Sequence, residues 1–176
     1  TRTRLMALTA LCGALTAAGA LLKIPFYPVP MTLQTFFSLM AGVILPARWA
    51  AMSQVLYLSV GLVGLPVFAN GGGPAYVLQP TFGYLLLLPL LSGTIAVFSA
   101  QNLQSLKFFV ILLAVQSLHL LGGSFWLFVN LKATAAKSIS LSQSLMLGTV
   151  IFFPSAVLKA AVATWLRNML RTMVRW

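Results

Sequence analysis

The chain has 176 residues, enough for one domain; 60% are hydrophobic and only 6% are charged, where a soluble domain carries about 25%. So few charges cannot cover a water-facing surface, and lipid must be most of the solvent. All the charge is positive, with eleven Lys plus Arg and no Asp or Glu, which excludes carboxylate acid–base or nucleophilic catalysis, a carboxylate-built hard-cation site and a carboxylate proton relay.

A basic excess of this size raises the question of nucleic acid. The cations are scattered singly between apolar runs and form no patch or stripe, so they read as the flanks of membrane helices in contact with a lipid bilayer, with no nucleic acid partner. Cys12 is the one cysteine, so no intrachain disulfide is available. One cysteine and one histidine make a poor metal site, and no cofactor is expected. No GxxxxGK[ST] phosphate loop occurs, so nucleotide energy would have to come from other chains.

The first apolar run spans Leu5 to Leu22, behind Arg2 and Arg4. Its small residues Ala17-Ala18-Gly19-Ala20 also fit a signal peptide, but the rest of the chain is equally apolar and a first transmembrane helix explains the same residues. Ala10, Ala14 and Ala18 recur every four residues and would let another membrane helix approach closely, within the bundle or from another subunit. Pro25-Phe26-Tyr27-Pro28-Val29-Pro30 cannot be helical throughout and reads as an extended loop carrying two aromatics.

A second helix is expected over Thr32 to Leu45 and a third over Ala50 to Leu65, each closed by a proline, Pro46 and Pro66. The segment Phe68-Ala69-Asn70-Gly71-Gly72-Gly73-Pro74 is the most irregular of the chain. A fourth helix is expected over Pro80 to Ser99, kinked at Pro89, a fifth over Phe108 to Leu131, and a sixth from Gln143 to Asn168. Six spans place both termini on one side. With that side cytoplasmic it holds Arg2, Arg4, Arg48, Lys107, Arg167, Arg171 and Arg175, against Lys23, Lys132 and Lys137 opposite, which favours cytoplasmic termini. The proline and glycine loops then face outward, where a substrate would be captured.

Lys159 is the sharpest single observation. An ionisable residue inside the sixth apolar run costs on the order of 3 kcal/mol on insertion scales and is a functional candidate by default. The chain has no carboxylate side chain to pair with it, so it must be neutral, snorkel to an edge, meet a lipid phosphate or await an anion from outside. Gln34, Asn70, Gln79 and Tyr84 lie near the outer helix ends or on the glycine loop. With Phe26, Tyr27 and Phe68 they would line a cup of aromatic walls and amide groups. His119, mid-helix with Gln116 and Ser117, is expected to hydrogen-bond a neighbouring helix.

Two strings are specific: Pro28-Val29-Pro30-Met31-Thr32-Leu33-Gln34-Thr35-Phe36 and Gly61-Leu62-Val63-Gly64-Leu65-Pro66-Val67-Phe68-Ala69. With the glycine run Gly71 to Gly73, Pro80-Thr81-Phe82-Gly83-Tyr84-Leu85 and Pro154 to Ala160, they make the chain resemble BioY, the biotin-specific substrate-binding component of energy-coupling-factor transporters. The resemblance implies a six-helix, all-α bundle in the bacterial plasma membrane that binds biotin from outside. It implies a transmembrane coupling subunit and two ATPase subunits as partners. It also implies that Ala10, Ala14 and Ala18 match a small-residue docking motif. The family's sixth helix has the pattern P-G-D-x-x-K; here the lysine is Lys159, while Ser155 and Ala156 stand for the glycine and aspartate. Lys159 is thereby left free for a ligand carboxylate.

Other functions compete. The same fold could bind another small vitamin, which a ligand test would separate. An ion-coupled secondary transporter would have only His119 to titrate near neutrality. A membrane scaffold would have no need of the proline and glycine loops. An enzyme lacks a recognisable acid–base or nucleophile–base set.

Overall fold

The computed structural model describes residues 1–134 and 139–173; Lys137 and Arg175, counted above among the flanking cations, lie outside them. Helix α1 (Arg2–Leu21) is followed by two short antiparallel strands, β1 (Lys23–Ile24) and β2 (Met31–Thr32), that pair across the proline loop. Then come α2 (Gln34–Ile44) and α3 (Ala47–Leu62), a 3-10 turn at Pro74–Leu78, α4 (Phe82–Leu86), α5 (Leu88–Ser99) and α6 (Ser105–Thr134). A short α7 (Leu141–Leu145) and a π turn (Met146–Val150) lead into α8 (Phe153–Met173).

Among the described residues, four stretches are long and apolar enough to cross a membrane: Arg2–Leu21, Phe82–Ser99, Ser105–Ala133 and Leu141–Arg171. Large apolar side chains stand on their outer surfaces, among them Leu11, Leu118, Phe125 and Trp165. In water such exposure would be a liability; against lipid tails it costs nothing.

Two of these stretches are broken by prolines. The expected fourth helix divides into α4 and α5 at Leu87, because Pro89 lacks an N–H and its ring crowds the carbonyl of Leu85. The expected sixth helix is interrupted by the π turn ahead of Pro154, where the Ile151 N–H reaches back five residues to the Met146 carbonyl at 3.2 Å. The Tyr84 hydroxyl donates to the Gly148 carbonyl inside that turn at 3.0 Å. A side chain at Gly148 would collide with it, so glycine is required there for close approach.

Helix α1 divides its small residues between two faces. Thr9, Cys12, Gly13, Thr16, Gly19 and Ala20 are buried against α2 and α3, and a Cβ at Gly13 would meet the Ser53 carbonyl at 2.9 Å. Ala10, Ala14 and Ala18 stand exposed on the opposite face. Buried polar side chains tie the helices together, as lipid-bathed bundles require: Gln54 Nε2 donates to Thr16 Oγ1 (3.2 Å) and Ser92 Oγ to the Ala50 carbonyl (3.0 Å).

With no side-chain carboxylate to pair with, the embedded cations turn to backbone carbonyls. Arg167 is 2% exposed and donates to the carbonyls of Ser99 (3.4 Å), Gln101 (2.8 Å) and Leu103 (3.3 Å). Arg171 adds the Ser99 and Gln101 carbonyls at 2.9 and 2.6 Å. Both close the C-terminal end of α5, where unpaired carbonyls and the negative end of the helix dipole favour a cation.

Candidate ligand-binding chamber

A chamber opens between the start of α2, α4, α6 and α8, with Val29 and Pro30 of the proline loop along one side. Its apolar wall includes Val29, Leu85, Leu88, Leu120 and Phe152. Its polar groups are Thr32, Gln34, Thr35, Tyr76, Thr81, Tyr84, Gln116, His119, Ser155 and Lys159. A second cavity, in the position of a vestibule, is lined by Lys23, Phe26, Tyr27, Asn70 and Gln79 and borders the first at Pro30 and Thr81.

The eight residues expected from sequence therefore separate. Gln34, Tyr84 and Lys159 line the inner chamber. Phe26, Tyr27, Asn70 and Gln79 line the vestibule, where Tyr27 is 91% exposed. Asn70 Oδ1 accepts from Lys23 Nζ at 3.4 Å, and the same ammonium donates to the Ala69 carbonyl.

Phe68 lines neither cavity. Its ring is buried against Tyr57 and Tyr76, with centroids 5.4 and 4.6 Å away. The reason lies at Gly61, whose missing side chain leaves the slot the ring fills. The glycine run serves the same end. Gly71 and Gly73 take φ of +114° and +104°, which only glycine adopts without strain. The resulting turn pairs Phe68 with Gly71 and lets the Gly73 N–H reach the Gly61 carbonyl at 2.7 Å. The loop seats an aromatic plug in the core.

Gln34 has a partner at both ends of its amide. It accepts from Thr32 Oγ1 at 2.7 Å and donates to the Tyr57 hydroxyl at 2.5 Å, which in turn donates to the Val67 carbonyl at 3.1 Å. This chain of bonds fixes the start of α2 against the glycine-loop side of the bundle. The Tyr84 ring faces the chamber, but its hydroxyl lies within 3.1 Å of Ser124 Oγ and donates to Gly148, so it acts as wall rather than donor.

Lys159 reaches from α8 across the chamber. Its Nζ donates to the Thr32 carbonyl and to Thr35 Oγ1, each at 2.8 Å. Two neutral oxygens satisfy hydrogen bonds without cancelling the charge. The ammonium lies beside the N-terminal end of α2, which has no side-chain cap and carries the positive end of that helix's dipole. Two sources of positive potential thus converge on one wall, and an anion entering the chamber would meet both.

Sequence reading left Thr35, Tyr76, Thr81 and Gln116 out of the site. Thr35, Tyr76 and Thr81 carry no mark in a single sequence that separates them from satisfied polar residues. Gln116 and His119 carried one: two polar groups spaced i, i+3 share a face of an otherwise apolar helix. Among the described residues no group of His or Cys side chains could hold a metal ion.

The family model of the BioY family matches residues 1–175. A probable biotin transporter BioY of Pyrococcus horikoshii is 32% identical over 160 residues, 90% of each chain. Another, of Lysinibacillus sphaericus, is 54% identical over 81 residues; that alignment spans 46% of this chain and 41% of its relative. Among solved structures, the S-component for biotin from an ECF-type ABC transporter superposes with a TM-score of 0.82 at 26% identity, covering 97% of this chain and 92% of that one.

Proposed function

The chain belongs to the BioY family, and from that premise we propose that it is the biotin-capturing membrane component of a vitamin importer. It is an integral membrane protein and a transporter component rather than an enzyme. Counting α4 with α5, and α7 with α8, makes six spans in a plasma membrane of the bacterial inner-membrane type. Cytoplasmic termini agree with the seven cations on that side and three on the other.

Biotin enters from outside through the vestibule, past Phe26, Tyr27, Asn70 and Gln79. Its fused ring and aliphatic chain shed water onto Val29, Leu85, Leu120 and Phe152. Its carboxylate pairs with Lys159 beside the start of α2. The observation that carries this reading is the Lys159 ammonium, held by neutral oxygens in the wall of a chamber in a chain without a single side-chain carboxylate. An anionic ligand supplies the missing counter-charge.

Energy comes from elsewhere. The exposed alanine stripe of α1 is the docking face for a transmembrane coupling subunit, which works with two ATPase subunits. Burial of Gly13, Thr16 and Gly19 on the inner face leaves Ala10, Ala14 and Ala18 free for such a partner.

Isothermal titration of the detergent-solubilised chain tests the reading directly. Biotin should bind and biotin amide should bind far more weakly. Equal affinity would remove the carboxylate–Lys159 pairing, and no binding of either would remove the function.

A further inference from the structure

Besides the Ser155 hydroxyl, which can donate or accept, two chamber atoms, one on Gln116 and one on His119, lack hydrogen-bond partners among the described residues, and both are pure acceptors. Gln116 Nε2 donates to the Ala156 carbonyl at 3.1 Å. A carbonyl oxygen only accepts, so the amide nitrogen must face Ala156 and Gln116 Oε1 must face the other way. Gln116 lines the chamber, and its Oε1 has no hydrogen-bond partner among the described residues. It is nevertheless absent from the fully occluded, unsatisfied atoms, which are Thr9 Oγ1, Gln54 Oε1 and Arg167 Nε. The oxygen is therefore open to the chamber.

His119 lies one turn along the same face of α6 and lines the same chamber. Its Nε2 is 2.9 Å from the Tyr84 carbonyl. By the same logic Nε2 carries the proton, which leaves Nδ1 as a bare lone pair. Two neutral acceptors thus stand in one wall while Lys159 supplies donors from another.

Biotin's cyclic urea presents two N–H donors. Buried N–H groups must be met by acceptors, and this chain has no side-chain carboxylate to meet them. We propose that Gln116 Oε1 accepts a hydrogen bond from a ureido N–H of biotin, with His119 Nδ1 as the second acceptor, so that this pair on α6 sets selectivity for the urea. The proposal rests on the biotin-binding reading. It is independent of the partner of the ligand's carboxylate.

Titration of biotin and of biotin methylated at each ureido nitrogen, against the unmodified chain, Gln116→Met and Gln116→Leu, tests it. Methionine keeps the length of the side chain and fills its space if leucine disturbs folding. The unmodified chain should lose roughly 10- to 100-fold in affinity on methylation of one nitrogen, since a buried hydrogen bond is lost and an acceptor left bare. Gln116→Met should bind biotin about 10-fold more weakly and show little further loss with that same analogue. A methylation penalty undiminished in both variants, or unchanged biotin affinity in both, overturns the role of Gln116 alone. Absence of biotin binding by the unmodified chain overturns the functional reading and this assignment with it.

Discussion

Lys159 Nζ lies 2.8 Å from the carbonyl oxygen of Thr32, a residue 127 positions away. The bond ties the last helix to the strand that enters α2, and it holds the cation in the chamber wall. A snorkelling lysine would point toward an aqueous edge; this one is held by the start of the neighbouring helix α2.

Substitution of Lys159 by methionine should separate two effects. The apo protein loses two hydrogen bonds to neutral oxygens and also an uncompensated cation, so its thermal midpoint in detergent should move by only a few degrees. Biotin affinity should fall far more, by about 2–5 kcal/mol, because the ligand carboxylate would then be buried without its counter-charge. Thermal unfolding with and without biotin, together with titration, checks both. Equal loss of stability and affinity would assign Lys159 a structural role.

Tyr84→Phe should cost the apo protein about 1–2 kcal/mol, since the Gly148 carbonyl in the π turn and Ser124 lose the hydroxyl. The ring remains in the chamber wall, so biotin affinity should change less than threefold, well under the tenfold that 1.4 kcal/mol represents. A large loss of affinity with unchanged stability would show that the hydroxyl reaches the ligand.

Ala14→Leu should leave biotin binding by the isolated chain intact and reduce uptake by cells expressing the whole transporter. The position is exposed, so leucine meets lipid rather than the bundle, and the added bulk would keep a partner helix from close approach. Normal membrane abundance with wild-type uptake would remove α1 from the docking surface.

The sequence makes some parts of this structure plain and hides others. Prolines are local signals: Pro46 marks the α2–α3 junction, and Pro89 the break between α4 and α5, because the missing N–H acts wherever the residue stands. Lys159 was conspicuous for the same reason, being a charge out of place in an apolar run. Phe68 was not legible as core. Its position depends on the slot at Gly61 and on the positive φ of Gly71 and Gly73, which are properties of the folded loop. The π turn ahead of Pro154 likewise depends on Tyr84, 64 residues before Gly148. The separation of Gly13 and Gly19 from Ala10 and Ala14 was within reach of helical periodicity, but which stripe faces the bundle is decided by the packing of α2 and α3.

Arg167 supplies the last prediction. From sequence it counts as one more flanking cation, yet it is almost wholly buried. Its guanidinium donates to three carbonyls at and just beyond the end of α5 and lies over the Phe108 ring, 4.0 Å from its centroid. Arg167→Leu would strip the Leu103 carbonyl of its donor, leave Ser99 and Gln101 to Arg171 alone and remove the cation–π contact, so it should destabilise the protein by about 1–3 kcal/mol. Arg167→Lys should recover little of that loss, because an ammonium cannot fork between the carbonyls of Ser99, Gln101 and Leu103. The site lies at the opposite end of the bundle from the vestibule, so biotin affinity of the folded fraction should stay near that of the unmodified chain. Thermal unfolding of the three proteins, followed by titration of the monodisperse fraction, measures both quantities. Full rescue by lysine would reduce Arg167 to a simple positive charge; loss of affinity in a stable Arg167→Leu protein would instead couple this end of the bundle to the chamber.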